Sequence, residues 1–365
     1  MDLGLFYEIP VPKPWDAQSE LRAYRETIDQ AVLGDQVGFH SFWTVEHHFL
    51  EEFSHCSNPE VLYGAIAALT TNLRIGYGVR LLPKPYNHPV RTAESVAVLD
   101  LVSNGRVEFG TGRSSTRMEL EGFGVDPHTT REMWAEALEC IVAAWKSGDE
   151  FTFDGEYWKM PVPRRVVPTV LQDPHPPIWA ATASVEGHRV IGEKGIGLLS
   201  FTLGVAPEEL AKRIEMYREG LAACTNPVGD QINDRAATFA MMHCAPTSEE
   251  AYAVARESME WYPARSTELF GSLASWMEGE DLGNYSYLNR PDRDVATMFS
   301  FDAMIEQGWI VVGDPDDCIE AASQYADVGV DLMLCCVNPH SIPHEKVMQS
   351  IELLGNEVIP ALAAQ

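Results

Sequence analysis

Apolar and polar positions along this chain alternate between short apolar runs and longer amphipathic segments. Residues 3–7 (LGLFY) read as a buried strand, 18–36 as a helix, 41–45 (SFWTV) as a second strand and 59–70 as its helix. Residues 73–79 read as a third strand, and the helix after it carries Val90, Ala93, Ala97 and Leu101 at helical spacing. A fourth strand at 107–110 leads to a long helix over 130–147. After a polar, hairpin-like stretch at 151–158 the alternation resumes, with strands at 177–181, 198–201 and 237–241 and helices at 185–195 and 207–222. Thr247-Ser248-Glu249-Glu250 has the form of a capping box, in which side chains satisfy the free N–H groups of a first helical turn. Asp314-Pro315 opens a further helix, with Asp as cap and Pro where its missing N–H costs nothing. A strand at 332–337 and a helix at 344–362 close the pattern.

Strand-then-helix units repeated eight times predict an α/β fold, a (β/α)8 TIM barrel forming one domain over residues 1–365. A doubly wound open sheet is the alternative, because periodicity does not fix strand order. Residues 263–307, rich in aromatics and charges such as Trp276, Tyr285, Tyr287 and Phe299, interrupt the pattern. They read as an insertion before the last helix–strand pair and as a candidate lid, with residues 114–128 as a second candidate.

Composition narrows the partners. A net charge of -28 argues against nucleic acid and against an anionic membrane surface, both of which are bound through clustered Lys and Arg. The seven cysteines are odd in number, widely spaced and without a CxxC, which fits a reducing cytoplasm and neither a disulfide framework nor a structural zinc site. The N-terminus lacks a basic, apolar signal sequence, and no apolar run reaches membrane-spanning length.

In a parallel barrel the chemistry collects at the C-terminal ends of the strands. The second strand ends at Glu46-His47-His48, the fourth at Gly110-Thr111-Gly112-Arg113, and the fifth near Thr182-Ala183-Ser184. An imidazole gives or takes a proton near neutral pH. Neighbouring residues of an extended chain face opposite ways, so at most one of His47 and His48 points into the mouth, and the pair is no metal chelate. Gly76-x-Gly78 and Gly110-x-Gly112 lack the third glycine of a dinucleotide fingerprint, but they let backbone approach a flat ring or a phosphate. Arg113 and Arg131, in so acidic a chain, suit an anion pocket, with Ser184 adding a hydroxyl and a helix N-terminus. The competing reading pairs these arginines with Glu119 and Glu132. Tyr7, Trp43, Tyr77 and Phe201 are candidate walls of an apolar substrate pocket, or plain core.

The segment Gly38-Phe39-His40-Ser41-Phe42-Trp43-Thr44-Val45-Glu46-His47-His48-Phe49, followed by Ser57-Asn58-Pro59, resembles bacterial luciferase and its relatives. So do Leu82-Pro83, His88-Pro89-Val90-Arg91, residues 103–110 (SNGRVEFG), Pro177-Ile178-Trp179, Ala183-Ser184 and residues 312–318 (VGDPDDC), in the same order. The resemblance implies a two-component monooxygenase on a TIM barrel, in which reduced FMN, supplied by a separate flavin reductase, reacts with O2 through a C4a-(hydro)peroxyflavin to oxygenate a small organic substrate. It implies that His47 is the catalytic histidine, that Arg113, Arg131 and Ser184, with Ala183 beside it, hold the flavin phosphate, that Gly78-Val79 is a non-proline cis peptide beneath the flavin ring, and that Asn58 is structural. It also implies a homodimer, for which early elements, including the helices around 59–70 and 90–103, are the expected interface. Gly112 stands where luciferase carries a reactive cysteine, a departure that speaks against aldehyde luminescence. Two alternatives stay open on the same barrel: an F420-dependent oxidoreductase, and a non-catalytic flavin-binding partner subunit.

Overall fold

Each short apolar run becomes one stave of a closed parallel barrel in the computed structural model, which describes residues 1–278, 285 and 298–364. In chain order the elements are β1 (Asp2–Tyr7), α1 (Ser19–Val37), β2 (Ser41–Thr44), α2 (Pro59–Leu69), β3 (Arg74–Tyr77), β4 (Arg80–Leu81), α3 (Pro89–Val102), β5 (Val107–Gly112), α4 (Arg117–Phe123) and α5 (Thr130–Lys146). A hairpin, β6 (Phe151–Asp154) and β7 (Lys159–Arg164), precedes β8 (Ile178–Thr182), α6 (Val185–Glu193), β9 (Gly197–Ser200), α7 (Pro207–Ala223), β10 (Ala236–Cys244) and α8 (Ser248–Trp276). The chain ends with α9 (Phe301–Glu306), β11 (Ile310–Gly313), α10 (Pro315–Asp327), β12 (Leu332–Cys336) and a helical stretch beginning with α11 (His344–Leu353).

The barrel runs β1-β2-β3-β5-β8-β9-β10-β12 and back to β1, every pairing parallel. β10 pairs with both β9 and β12, so the sheet has no edge there, and the open-sheet alternative falls. The staves are those the periodicity predicts. Two details differ. The third run is not continuous to residue 79: it stops at Tyr77, passes through a cis peptide at Gly78-Val79 and resumes as the short β4. A strand that the pattern did not predict, β11, extends the sheet along the last four residues of β10. The presumed insertion is also not a unit of its own from residue 263: α8 continues through Pro263 to Trp276. Residues 279–284 and 286–297, which include Tyr287, lie outside the described residues.

Small residues inside the barrel make room for two tryptophans. A Cβ on Gly76 would overlap the Trp43 ring, and one on Gly197 would sit 2.5 Å from the Trp179 ring. Trp43 and Trp179 meet edge to face at 5.7 Å, and the Trp179 indole N–H donates to Glu108 at 2.7 Å. Below the mouth the barrel is therefore solid, and what the fold offers to ligands is its C-terminal rim.

Candidate active site

β2 ends at Thr44, and the chain beyond it turns over the mouth, fixed by the His47 N–H donating to the Cys56 carbonyl at 2.9 Å. His47 and His48 then diverge. His48 leaves the mouth, stacks on Tyr86 and packs edge-on against Phe123. His47 faces inward, its side chain 21% exposed. Its Nδ1 lies 2.8 Å from Oε1 of Glu119, a fully buried carboxylate in the first turn of α4. That oxygen also accepts the His48 N–H at 3.0 Å, and Oε2 accepts the hydroxyls of Ser114 at 2.6 Å and Thr116 at 2.7 Å. Burial alone would raise the Glu119 pKa; the His47 charge and the two hydroxyls outweigh it and hold the carboxyl below its usual range. Residues 114–128 thus contain a short helix whose job includes orienting His47.

On the other ring edge, His47 Nε2 is 3.6 Å from Oε2 of Glu8, which follows directly on β1. Burial favours the neutral imidazole, but the carboxylates of Glu119, Glu8 and Glu46 outweigh it and raise the His47 pKa to about 9. Glu46 itself points away from the mouth, taking hydrogen bonds from the Leu81 N–H and the Asn87 amide.

Gly78 lies one strand over, its N–H donating to the carbonyl of Thr44, the last residue of β2, at 2.8 Å. Gly78 and Val79 are partly exposed, and their peptide is cis, as the resemblance implied. A Cβ on Gly78 would stand 3.1 Å from the Phe6 ring. Gly112 is not at the surface: it lies under Val79, where a Cβ would come within 2.5 Å of the valine methyl. β5 and β8 are neighbours, so Arg113 and Ser184, just past their ends, share one side of the rim. The Arg113 guanidinium donates to Thr130 at 3.1 Å and lies over the ring of Tyr285, whose hydroxyl donates to the Ser114 carbonyl at 2.8 Å. Among the described residues no carboxylate pairs with Arg113 or with the exposed Arg131, so the expected competitor, Glu119, is spent on His47 instead. Ser184 caps α6, accepting the Gly187 N–H at 3.0 Å, and Ala183 precedes it half-buried.

Aromatic rings form the wall opposite. Phe6 meets Phe239 edge-on at 5.4 Å, Phe239 packs on Phe201 at 5.2 Å and on Tyr262 at 5.6 Å, and Tyr262 stacks on Phe53 at 5.2 Å, next to His47. Of the predicted wall residues only Phe201 belongs here. Tyr7, Trp43 and Tyr77 are core: Tyr7 stacks on Phe42, Trp43 fills the barrel interior and Tyr77 packs outward on Tyr63. The reason is strand alternation, which turns Phe6 and Gly78 inward and their neighbours Tyr7 and Tyr77 outward. Sequence reasoning missed Glu8, Tyr262 and the orienting role of Glu119. Glu8 had a signal, being a lone acid at the C-terminal end of an apolar barrel strand. Tyr262 had none.

The family model for luciferase-like monooxygenases matches residues 1–332. The chain belongs to that family. A luciferase-like relative, the oxygenase component of flavin-dependent trigonelline monooxygenase from Acinetobacter baylyi, is 26% identical, the match covering 95% of this chain and 92% of that protein. The oxygenating constituent of 3,6-diketocamphane monooxygenase from Pseudomonas putida, solved with FMN, has the same fold, with TM-score 0.77, 22% identity and coverage of 99% and 98%. An F420-dependent secondary alcohol dehydrogenase shares it as well, with TM-score 0.71, 19% identity and coverage of 99% and 98%.

Proposed function

We propose that this luciferase-like chain is the oxygenase component of a two-component system, taking reduced FMN from a separate flavin reductase and using O2 to oxygenate a small organic substrate. The observation that carries the reading is a set of groups at one barrel mouth: the cis Gly78-Val79 peptide, partly exposed, the carboxylate-held His47, and a guanidinium, Arg113, that no described carboxylate neutralises. A flat ring fits over Gly78 and Val79, with Gly112 letting Val79 sit low. A phosphate fits Arg113, Arg131 and the capped N-terminus of α6 at Ala183 and Ser184. When bound, the flavin supplies the two electrons that activate O2. The chain's own work is to position, to exclude water with the aromatic wall, and to hold a proton at His47. The trigonelline relative, an oxygenase component by name, supports the division of labour between oxygenase and reductase.

The protein is proposed to work as a homodimer. Apolar side chains stand exposed on two adjacent helices: Val61 and Leu69 on α2, and Val98, Leu101 and Val102 on α3.

Anaerobic titration with reduced FMN and, in parallel, with reduced F420 tests the cofactor. Reduced FMN is expected to saturate the protein. Mixing the complex with aerated buffer and a flavin-oxygenase substrate panel should then give oxygenated product. Saturation by reduced F420 and not by FMN would overturn the reading in favour of a hydride-transferring F420 enzyme.

A further inference from the structure

We propose that Glu8 is a positioning residue that keeps His47 in the imidazolium form, so that His47 enters the reaction as a proton donor through Nε2 and not as a base. The inference rests on the oxygenase reading for its meaning, but its geometry stands apart from it.

The His47 ring has two unlike edges. Nδ1 faces a Glu119 carboxylate whose other oxygen is already filled by two hydroxyl donors, so Nδ1 carries its hydrogen in both charge states of the ring. The proton that comes and goes is therefore on Nε2. Glu8 Oε2 lies 3.6 Å from that atom, too long for a hydrogen bond and close enough for strong attraction in a dry site. Oε2 is buried and has no hydrogen-bond partner among the described residues, so the ring charge is what compensates it. Oε1 is held by the Tyr262 hydroxyl at 2.8 Å, and the Glu8 backbone carbonyl by the Ser54 hydroxyl at 2.6 Å. The carboxylate is thus locked in place from α8 and from the loop after β2. Among the described residues, the groups facing the pair are few: Glu119 from α4 and Glu46 from the end of β2 act on His47, while Tyr262 from α8, Cys336 from β12 and Cys56 act around Glu8. None is a cation. Burial pushes the Glu8 carboxyl up and Glu119 adds to this, so the His47 charge and the Tyr262 bond are what oppose its protonation. Loss of either partner weakens the other.

In the step itself the Nε2–H bond breaks, its electron pair stays on nitrogen, and the proton passes to an oxygen of the reacting molecules. A neutral imidazole remains, still bonded through Nδ1–H to Glu119. A base would need the reverse starting form, which the two flanking carboxylates disfavour.

The test is the imidazole titration of His47, followed by 15N-edited NMR on the full chain without flavin, with the pH profile of oxygenation as a second readout. The wild-type midpoint is expected near 9. Glu8→Gln should lower it by about one pH unit. Tyr262→Phe, which removes the bond holding Glu8 ionised, should lower it too, and should add nothing in the Glu8→Gln background. Glu8→Asp should restore part of the shift. Oxygenation should be lost as pH rises through the His47 midpoint, and that limb should move down in Glu8→Gln. An unchanged midpoint in a folded Glu8→Gln protein overturns the proposal, as does activity that rises through the midpoint. If Glu8→Gln does not fold, an unchanged midpoint in Tyr262→Phe overturns it. Because the titration needs no cofactor, a protein that shows these shifts and binds no FMN would sink the oxygenase reading and leave the charge assignment standing.

Discussion

Arg113 is a cation in a chain of net charge -28, yet its described partners are a hydroxyl and an aromatic ring. Such a guanidinium keeps its hydrogen-bonding fork free for an anion, and a charged hydrogen bond contributes about 1.5–3 kcal/mol. Arg113→Ala is therefore expected to weaken reduced FMN by roughly ten- to a hundredfold. Reduced riboflavin, which lacks the phosphate, should bind wild type and variant alike. Equal weakening of both ligands in the anaerobic titration would show that Arg113 holds the fold or the ring and not a phosphate. At this scale the sequence was readable wherever a residue's chemistry was unusual for its setting. His47, Arg113 and Ser184 stand just past strand ends, where a barrel puts its chemistry. Glu119 was visible only as a rival partner for Arg113, because spacing says nothing of which ring edge a carboxylate reaches. Tyr262 meets Glu8 across 254 positions, and nothing local to either announces the contact.

At the scale of elements, the apolar runs were legible because a strand buried on both faces needs little else, and three of the helices because their caps are written in side chains. His88 accepts the Val90 N–H, Thr247 the Glu250 N–H and Asp314 the Asp317 N–H, each at the start of a helix the pattern predicts. β11 was missed because Ile310–Gly313 lies between the tract read as an insertion and the Asp314 cap, and the eight staves of a barrel were already complete without it. The break in the third strand was not legible in periodicity either, since Gly78 and Val79 are as apolar as their neighbours; only the family resemblance marked it. The same elements show why glycine is scattered through the staves. Gly197 faces the Trp179 ring, and an added methyl at 2.5 Å needs that ring to move. Trp179 is pinned by its bond to Glu108 and by Trp43, so the move is costly. Gly197→Ala should destabilise the protein by about 1–3 kcal/mol, as overpacking does in a close-packed core. For a chain of this size that lowers the thermal midpoint by roughly 1–2 °C for each kcal/mol. A midpoint equal to wild type would mean the interior layer has slack that the geometry does not show.

At the scale of the whole molecule, the strong negative charge works against self-association, while α2 and α3 work for it. On α3, Val98, Leu101 and Val102 are spaced to share one face and are 48%, 45% and 58% exposed. Val61 and Leu69 on the neighbouring α2 are 71% and 58% exposed. Exposed large apolar residues scattered singly mean little, but a cluster on adjacent elements marks a surface that something covers. A second copy of the same chain is the economical occupant, because a twofold axis brings each patch against its own equivalent. These side chains contribute little to the barrel core, so changing them tests association without disturbing the mouth. Light scattering should give wild type a mass of twice 40.5 kDa, and Val98→Glu with Leu101→Glu a mass near 40.5 kDa. The double variant should unfold below the wild-type midpoint, having lost the stabilisation that association gives, and should still titrate with reduced FMN, since Gly78, Arg113 and His47 all lie at the barrel mouth. A wild-type protein that runs as a monomer at every concentration would remove the dimer. A variant that stays dimeric would move the interface off α3.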